Sequence, residues 1–193
     1  ARFVTMVAGD SPIGNDLGGG QILTQAMEDD YFLCLFCPDW RTKVIENEIS
    51  SMDGKLALMP LPAMEKGKRR TSTWGGTMLG ITKKCMNKEL AWEFMKQLYF
   101  TTEDLGPRFR DLNILPPVKD SWEHPAFKER RPFWSGQAVG QVYASLATNV
   151  PPLHVTPFIR YARTRLGEAV LEASRYYDDH GDDGLREFIL QRL

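Results

Sequence analysis

The chain has 193 residues, 42% of them apolar and 25% charged, and 24 Lys and Arg against 25 Asp and Glu leave a formal net charge of -1. With a mean hydropathy of -0.34, this composition excludes a disordered or fibrous chain. The charge balance supplies no basic excess for a nucleic-acid backbone, and no apolar run approaches the roughly 20 residues that span a bilayer. The length suits one large domain or two small ones, and a globular chain this long needs no disulfide staples.

In chain order, Phe3/Val7 and Val4/Ala8 are helix-spaced pairs followed by Gly9 as a C-cap residue. They read as the tail of a helix whose start lies outside the chain. No signal-peptide pattern opens the sequence, and the chain is expected to be a fragment. Ser11 to Gly20 is a loop, and Gly18-Gly19-Gly20 leads into a short helix from Gln21 to Met27. These glycines fit a phosphate cradle or a plain turn; without the Lys-Ser/Thr of a P-loop, a turn is expected. Tyr31–Cys37 reads as a buried strand ended by Pro38, with Asp39-Trp40 at the turn and a short helix from Arg41 to Ile49. Lys55 to Pro60 reads as a second strand, Glu65 to Arg70 as a solvated hairpin tip, and Thr71 to Thr82 as a third strand. Gly75-Gly76 within that strand pattern marks a bulge or a close backbone approach by a ligand.

Helices dominate the remainder. Asn87 caps one with Leu90, Ala91, Phe94, Met95 and Leu98 on its apolar stripe. Others are expected from Thr102 to Phe109 and from Gln137 to Ala147, with Ile114 to Pro117 extended and 125–136 irregular. Thr156-Pro157 starts a long helix with Phe158, Ile159, Ala162, Leu166, Ala169, Val170 and Ala173 as its buried stripe. Asp182-Asp183 starts the last helix. The expected class is α/β and helix-rich, with too few strands to complete a sheet alone.

The residues offer little catalytic chemistry. Cys34 and Cys37 are formally C-x-x-C, but in a strand they lie about 10 Å apart, beyond the ~7 Å between Cα atoms that a disulfide allows. With Cys85, three free and inert thiols are expected. His124 and His154 lie in proline-rich irregular sequence, and His180 in the acidic turn Tyr176–Asp183; none belongs to a hydrolase or zinc motif. The acidic turn lacks EF-hand spacing and reads as solvated. No enzyme, metal or cofactor is expected. Trp40 after a strand end, Trp74 before two glycines and Trp134 before Ser135-Gly136 are either turn-closing core residues or open faces for stacking a sugar ring. Trp92, on a helix, is expected to pack.

Met59-Pro60-Leu61-Pro62, Arg70 to Thr77, Gly80-Ile81-Thr82-Lys83 and Asn87 to Phe94, in that order, resemble family 1 extracellular solute-binding proteins of ABC importers, best the sugar-binding members for arabinose and arabino-oligosaccharides. Cys37 to Trp40 and Leu115 to Val118 resemble further segments of that family. The resemblance implies a fragment of a bilobed periplasmic-binding-protein-like fold. Residues 1–51 and 103–193 would belong to the C-terminal lobe, and 52–102 would be a crossover segment of the N-terminal lobe. It implies non-catalytic capture of a sugar or oligosaccharide outside the cytoplasm and delivery to ABC permease subunits. The ligand-binding residues would be Trp40, Trp74, Gly75, Gly76, Asp39, Arg41 and Trp134, with no nucleic acid, metal or cofactor. A fragment with severed strands is expected to homo-oligomerise. Alternatives are another solute such as a peptide or polyamine, a carbohydrate-active enzyme fragment, or a helical interaction module.

Overall fold

The computed structural model describes residues 1–73, 75–76, 78–152 and 156–192. These residues form eight α-helices and several short 3-10 turns. The helices are α1 (Arg2–Val7), α2 (Gln21–Glu28), α3 (Asp39–Glu48), α4 (Lys88–Phe100), α5 (Thr102–Leu112), α6 (Val139–Ala147), α7 (Ile159–His180) and α8 (Leu185–Arg192). The chain divides into two compact units, Ala1–Gly19 with Pro152–Leu193, and Gly20–Pro151.

The helix-rich character is as expected; the three strands are not. Among the described residues the only strand-type pairing is an isolated antiparallel bridge between Arg131 and Gln137. The apolar runs 31–37 and 55–60 and the described part of 71–82 form no helix and no strand ladder. A strand exists only beside a partner, and apolar patterning reports burial rather than pairing. The segment 54–58 instead lies against the 133–137 loop. Leu58 N donates to Gln137 Oε1 at 2.6 Å and Gln137 Nε2 donates back to Leu58 O at 2.9 Å. Gly54 N donates to Phe133 O at 3.1 Å, and the Ser135 hydroxyl reaches the carbonyls of Gly54 and Leu56. One side-chain amide thus supplies the two bonds that a neighbouring strand would have given.

The core of the 20–151 unit gathers Leu23 and Met27 of α2, Ile45 of α3, Ile49, Met52, Phe109 of α5, Phe127, Trp134 and Val139 of α6. Leu23/Met27 and Leu105/Phe109 are i, i+4 pairs, so each helix turns one apolar stripe inward. The Phe109 and Phe127 rings stack with centroids 4.2 Å apart. Gly140 lets α6 close on this stack: a Cβ there would lie 2.6 Å from Phe127 Cα and 2.7 Å from its carbonyl oxygen.

In α4, Asn87 Oδ1 accepts the Leu90 N–H at 2.9 Å, the cap the sequence predicts. The stripe it was expected to bury is not buried. Leu90, Phe94 and Trp92 are exposed, and no α4 residue is fully buried. Periodicity marks a face for a partner without guaranteeing one. In the other unit the α7 stripe is likewise split. Ala169 and Ala173 are buried, Ala173 with Val4 of α1 and Leu185 of α8, while Phe158 and Leu166 are exposed. Tyr176 stacks on Phe188 at 4.3 Å and donates its hydroxyl to Asp183 O, closing the acidic turn between α7 and α8. Gly9 N donates to Asp178 Oδ1 at 2.7 Å, so one carboxylate of that turn ties down the end of α1.

Among the described residues no helix is long and apolar enough to cross a membrane.

Candidate functional site

The first turn of α3 organises the principal cleft of the 20–151 unit. Pro38 precedes the helix, and Asp39 opens it, two residues before the expected start. A carboxylate here complements the positive end of the helix dipole. Asp39 Oδ1 accepts the Trp40 N–H at 2.8 Å and Oδ2 accepts the Leu115 N–H at 2.9 Å. Asp39 therefore fixes both Trp40 and the 114–117 connector. Trp40 itself is 44% exposed and lines the cleft.

The cleft encloses about 2280 Å³, more than twice the upper end of the ~300–1,000 Å³ usual for a single small ligand. Its walls are mostly apolar, with Phe36, Met59 and Trp92 prominent, and the residues Thr71, Ser72 and Thr73 add hydroxyls. Such a mixture of flat apolar faces and scattered polar groups suits an elongated ligand with apolar rings and peripheral hydroxyls.

The structure brings Asp39, Trp40, Gly75, Gly76 and Trp134 to this cleft. Gly75 and Gly76 have φ of +96° and +145°, a backbone that a side chain at either position would strain, and open space surrounds both. Trp134 is buried to 3% exposure, and its Nε1 donates to Glu46 Oε1 at 2.6 Å, so its ring packs in the core beneath the cleft. Arg41 lies on α3, half-buried and not on the cleft wall. Trp74 lies outside the described residues, as does His154. His124 serves the backbone: its Nδ1 accepts the Ala126 N–H at 3.2 Å.

Two cleft residues escaped the sequence reading. Trp92 was expected to pack on a helix; it is instead 46% exposed on the cleft wall. Tyr143, on α6, lines the cleft with its hydroxyl buried and without a hydrogen-bond partner among the described residues. Burial, followed by nearby Cys37, pushes the Tyr143 phenol well above its ordinary range, so it stays protonated. The helix register alone could have raised Trp92, since it stands two residues from Leu90 and Phe94 and so off their shared face.

The cysteines are free. Burial pushes the Cys37 thiol up to about 11, which makes it inert near neutrality. Cys34, expected to be buried, is exposed. The chain turns it outward with Leu33 while Phe32 and Leu35 pack on the core.

Further along α3, Glu46 anchors a polar network. Its Oε1 accepts from Trp134 Nε1 and from Asn113 Nδ2 at 2.9 Å, and its Oε2 faces Lys43 Nζ at 2.9 Å and Arg131 Nη1 at 3.4 Å. Asn113 also donates to Thr42 Oγ1 at 3.1 Å. Burial raises the Glu46 carboxyl, but hydrogen bonds from Lys43, Asn113 and Trp134 and the Lys43 charge outweigh it and hold the group below the ordinary glutamate value. The network joins α3, the end of α5 and the 131–137 loop, and so makes the floor of the cleft rigid.

No family model matches the chain, and no solved structure matches it significantly. An arabinooligosaccharide-binding protein of Halalkalibacterium halodurans is 24% identical over 136 residues, 69% of this chain and 31% of the relative. One of the same name from Bacillus subtilis is 25% identical over 138 residues, 69% of this chain and 32% of the relative. The chain thus matches about a third of the length of these curated relatives. They bear out the resemblance read from the order of motifs: over most of its length, the chain is similar to sugar-binding proteins.

Proposed function

We propose that the chain is part of the carbohydrate-binding component of an ABC importer, which captures an oligosaccharide outside the cytoplasm and hands it to permease subunits without transforming it. Both relatives are named as binding proteins for arabino-oligosaccharides, which supports capture rather than catalysis. The observation that carries the assignment to this cleft is Trp40, half exposed on the wall and held by Asp39 at the first turn of α3. The Asp39 bond fixes the Trp40 main chain, and the half-exposed indole offers the CH face of a sugar ring a flat apolar surface.

In this reading Trp40 stacks on one ring, and Trp92 offers a second face. Asp39 and backbone groups at Gly75 and Gly76 bond hydroxyls, Trp74 is a further stacking residue, and Arg41, off the cleft wall, acts only through α3. Trp134 supports the floor from within the core. Residues 1–51 and 103–193 contribute to one lobe of a bilobed fold and 52–102 to the other, and closure of the lobes buries the ligand. The exposed apolar side chains of the irregular segments, such as Leu33 and Met78, support further covering by other parts of the protein or by a second copy.

The test is calorimetry of arabinotriose binding to the full-length protein carrying this chain, in the parent and in Trp40→Ala, Trp92→Ala and Trp122→Ala. Trp122 is the control: its Nε1 donates to Pro116 O at 2.9 Å and it does not line the cleft. Loss of either cleft indole should weaken binding by about 1–3 kcal/mol, the magnitude of stacking on an aromatic face. Unchanged affinity in both cleft variants would remove this cleft as the sugar site.

A further inference from the structure

The charged groups on the cleft wall are Asp30, Asp39, Lys55, Arg70 and Arg108. Asp39 already accepts two backbone N–H groups. Among the described residues neither arginine is paired with a carboxylate. Carbonyl oxygens hold them instead. Arg70 donates from Nε to Leu61 O at 3.0 Å and from Nη2 to Pro60 O at 3.3 Å, and Arg108 donates from Nη1 to Leu98 O. A neutral carbonyl fixes a guanidinium in place without cancelling its charge. Each guanidinium has five N–H donors, so these bonds leave most of the fork unused.

The surrounding sequence adds to the effect. Residues 54–100 carry nine Lys and Arg against three Asp and Glu, a surplus of six positive charges within a chain whose net charge is -1. Of these nine, Lys55 and Arg70 lie on the cleft wall, which with Arg108 against Asp30 and Asp39 carries one net positive charge, and an excess of one sign draws in ligands of the opposite sign. A pre-positioned guanidinium fork matches the planar, two-oxygen geometry of a carboxylate, which a hydroxyl does not reproduce.

We propose that the cleft takes an acidic oligosaccharide, one whose rings bear carboxylates as uronic acids do, with Arg70 and Arg108 as the residues that read the carboxylates. This deepens the sugar-capture reading above and rests on it. The stacking face at Trp40 recognises the ring, and the arginines select the charged ring over the neutral one.

The test compares trigalacturonic acid with arabinotriose by calorimetry on the full-length protein, at low and at high salt. Trigalacturonic acid should bind about tenfold or more tightly than arabinotriose at low salt, as one charge-assisted hydrogen-bond set implies. That preference should shrink at high salt, because charge attraction is screened. Arg70→Gln and Arg108→Gln should each reduce the ratio of the two affinities by about tenfold, with Arg70→Lys in between. Damage to the loop that Arg70 ties would lower both affinities together and leave their ratio unchanged. If Arg70→Gln does not fold, Arg108→Gln and the salt dependence of the parent decide. Arabinotriose binding with no preference for the acid overturns this proposal and leaves sugar capture intact. A preference that survives both arginine substitutions also overturns it, and binding of neither sugar overturns both readings.

Discussion

Glu46 gives the most exacting test of the cleft floor. Replacing it with alanine orphans the Trp134 indole N–H, which lies in a residue only 3% exposed. A buried donor left unsatisfied costs about 1–3 kcal/mol. The same change leaves the Arg131 side chain, 11% exposed, with the Arg110 carbonyl in place of its carboxylate. Breaking a buried ion pair from one side costs about 3–5 kcal/mol. Lys43 is 26% exposed and rehydrates, and Asn113 keeps Thr42, so the lower ends of both ranges apply, about 4 kcal/mol in all. Glu46→Gln keeps an oxygen for Trp134 and Asn113 but turns an amide toward the two cations, and should cost about half as much. Urea unfolding followed by tryptophan fluorescence isolates this effect, because all five tryptophans fall within Gly20–Pro151. With a slope near 2 kcal/mol/M, the midpoint of Glu46→Ala should fall by about 2 M. The pH dependence has a definite sign. The folded-state carboxyl is held below its ordinary value, so its stabilisation is present above the unfolded glutamate range and is lost as pH falls through the folded value. The gap between the parent and Glu46→Gln should therefore be full at neutral pH and close in acid. A midpoint shift under about 0.5 M for Glu46→Ala, or a gap that is the same at neutral and acidic pH, would refute the network as described.

Three further outcomes are expected. Gly140→Ala should destabilise the same unit by about 1–3 kcal/mol or more, because the new Cβ meets the Phe127 backbone rather than a movable side chain; an unchanged urea midpoint would place α6 differently. Thiol titration in denaturant without reductant should count three thiols, and in the native state Cys34 should react well before Cys37, whose thiol ionises only near 11; equal rates near neutrality would contradict the burial of Cys37. The isolated chain should form dimers or larger species in light scattering, because Leu33, Met78 and Met86 are almost fully exposed; a monomer at high concentration would count against adhesion through these surfaces.

Local signals in the sequence were enough to locate the helices. The Asn87 cap and the Ala169/Ala173 part of the long helix's stripe depend on chemistry within a few residues, and both appear where the pattern places them. Strands were not legible in the same way. Leu56 and Leu58 carry a strand's pattern, but the bonds to Leu58 come from Gln137, 79 residues away, and nothing local signals that. The tryptophans divide along the same line. Trp40 could be raised as a binding face because a proline and a helix start are its immediate neighbours. Burial of Trp134 was not legible, because its partner Glu46 lies 88 residues away, whereas the register of Trp92, off the face of Leu90 and Phe94, was a local sign of its exposure.

The most direct measurement of the central claim is hydrogen exchange of the full-length protein, with and without saturating arabino-oligosaccharide. If the cleft is the sugar site, ligand should slow exchange in the first turn of α3 and the 114–117 connector that Asp39 ties to it, and along 55–61. Helices α7 and α8 of the other unit should be the internal reference and stay unchanged. Saturation without added protection around Asp39 and Trp40, or protection confined to α7 and α8, would contradict the assignment.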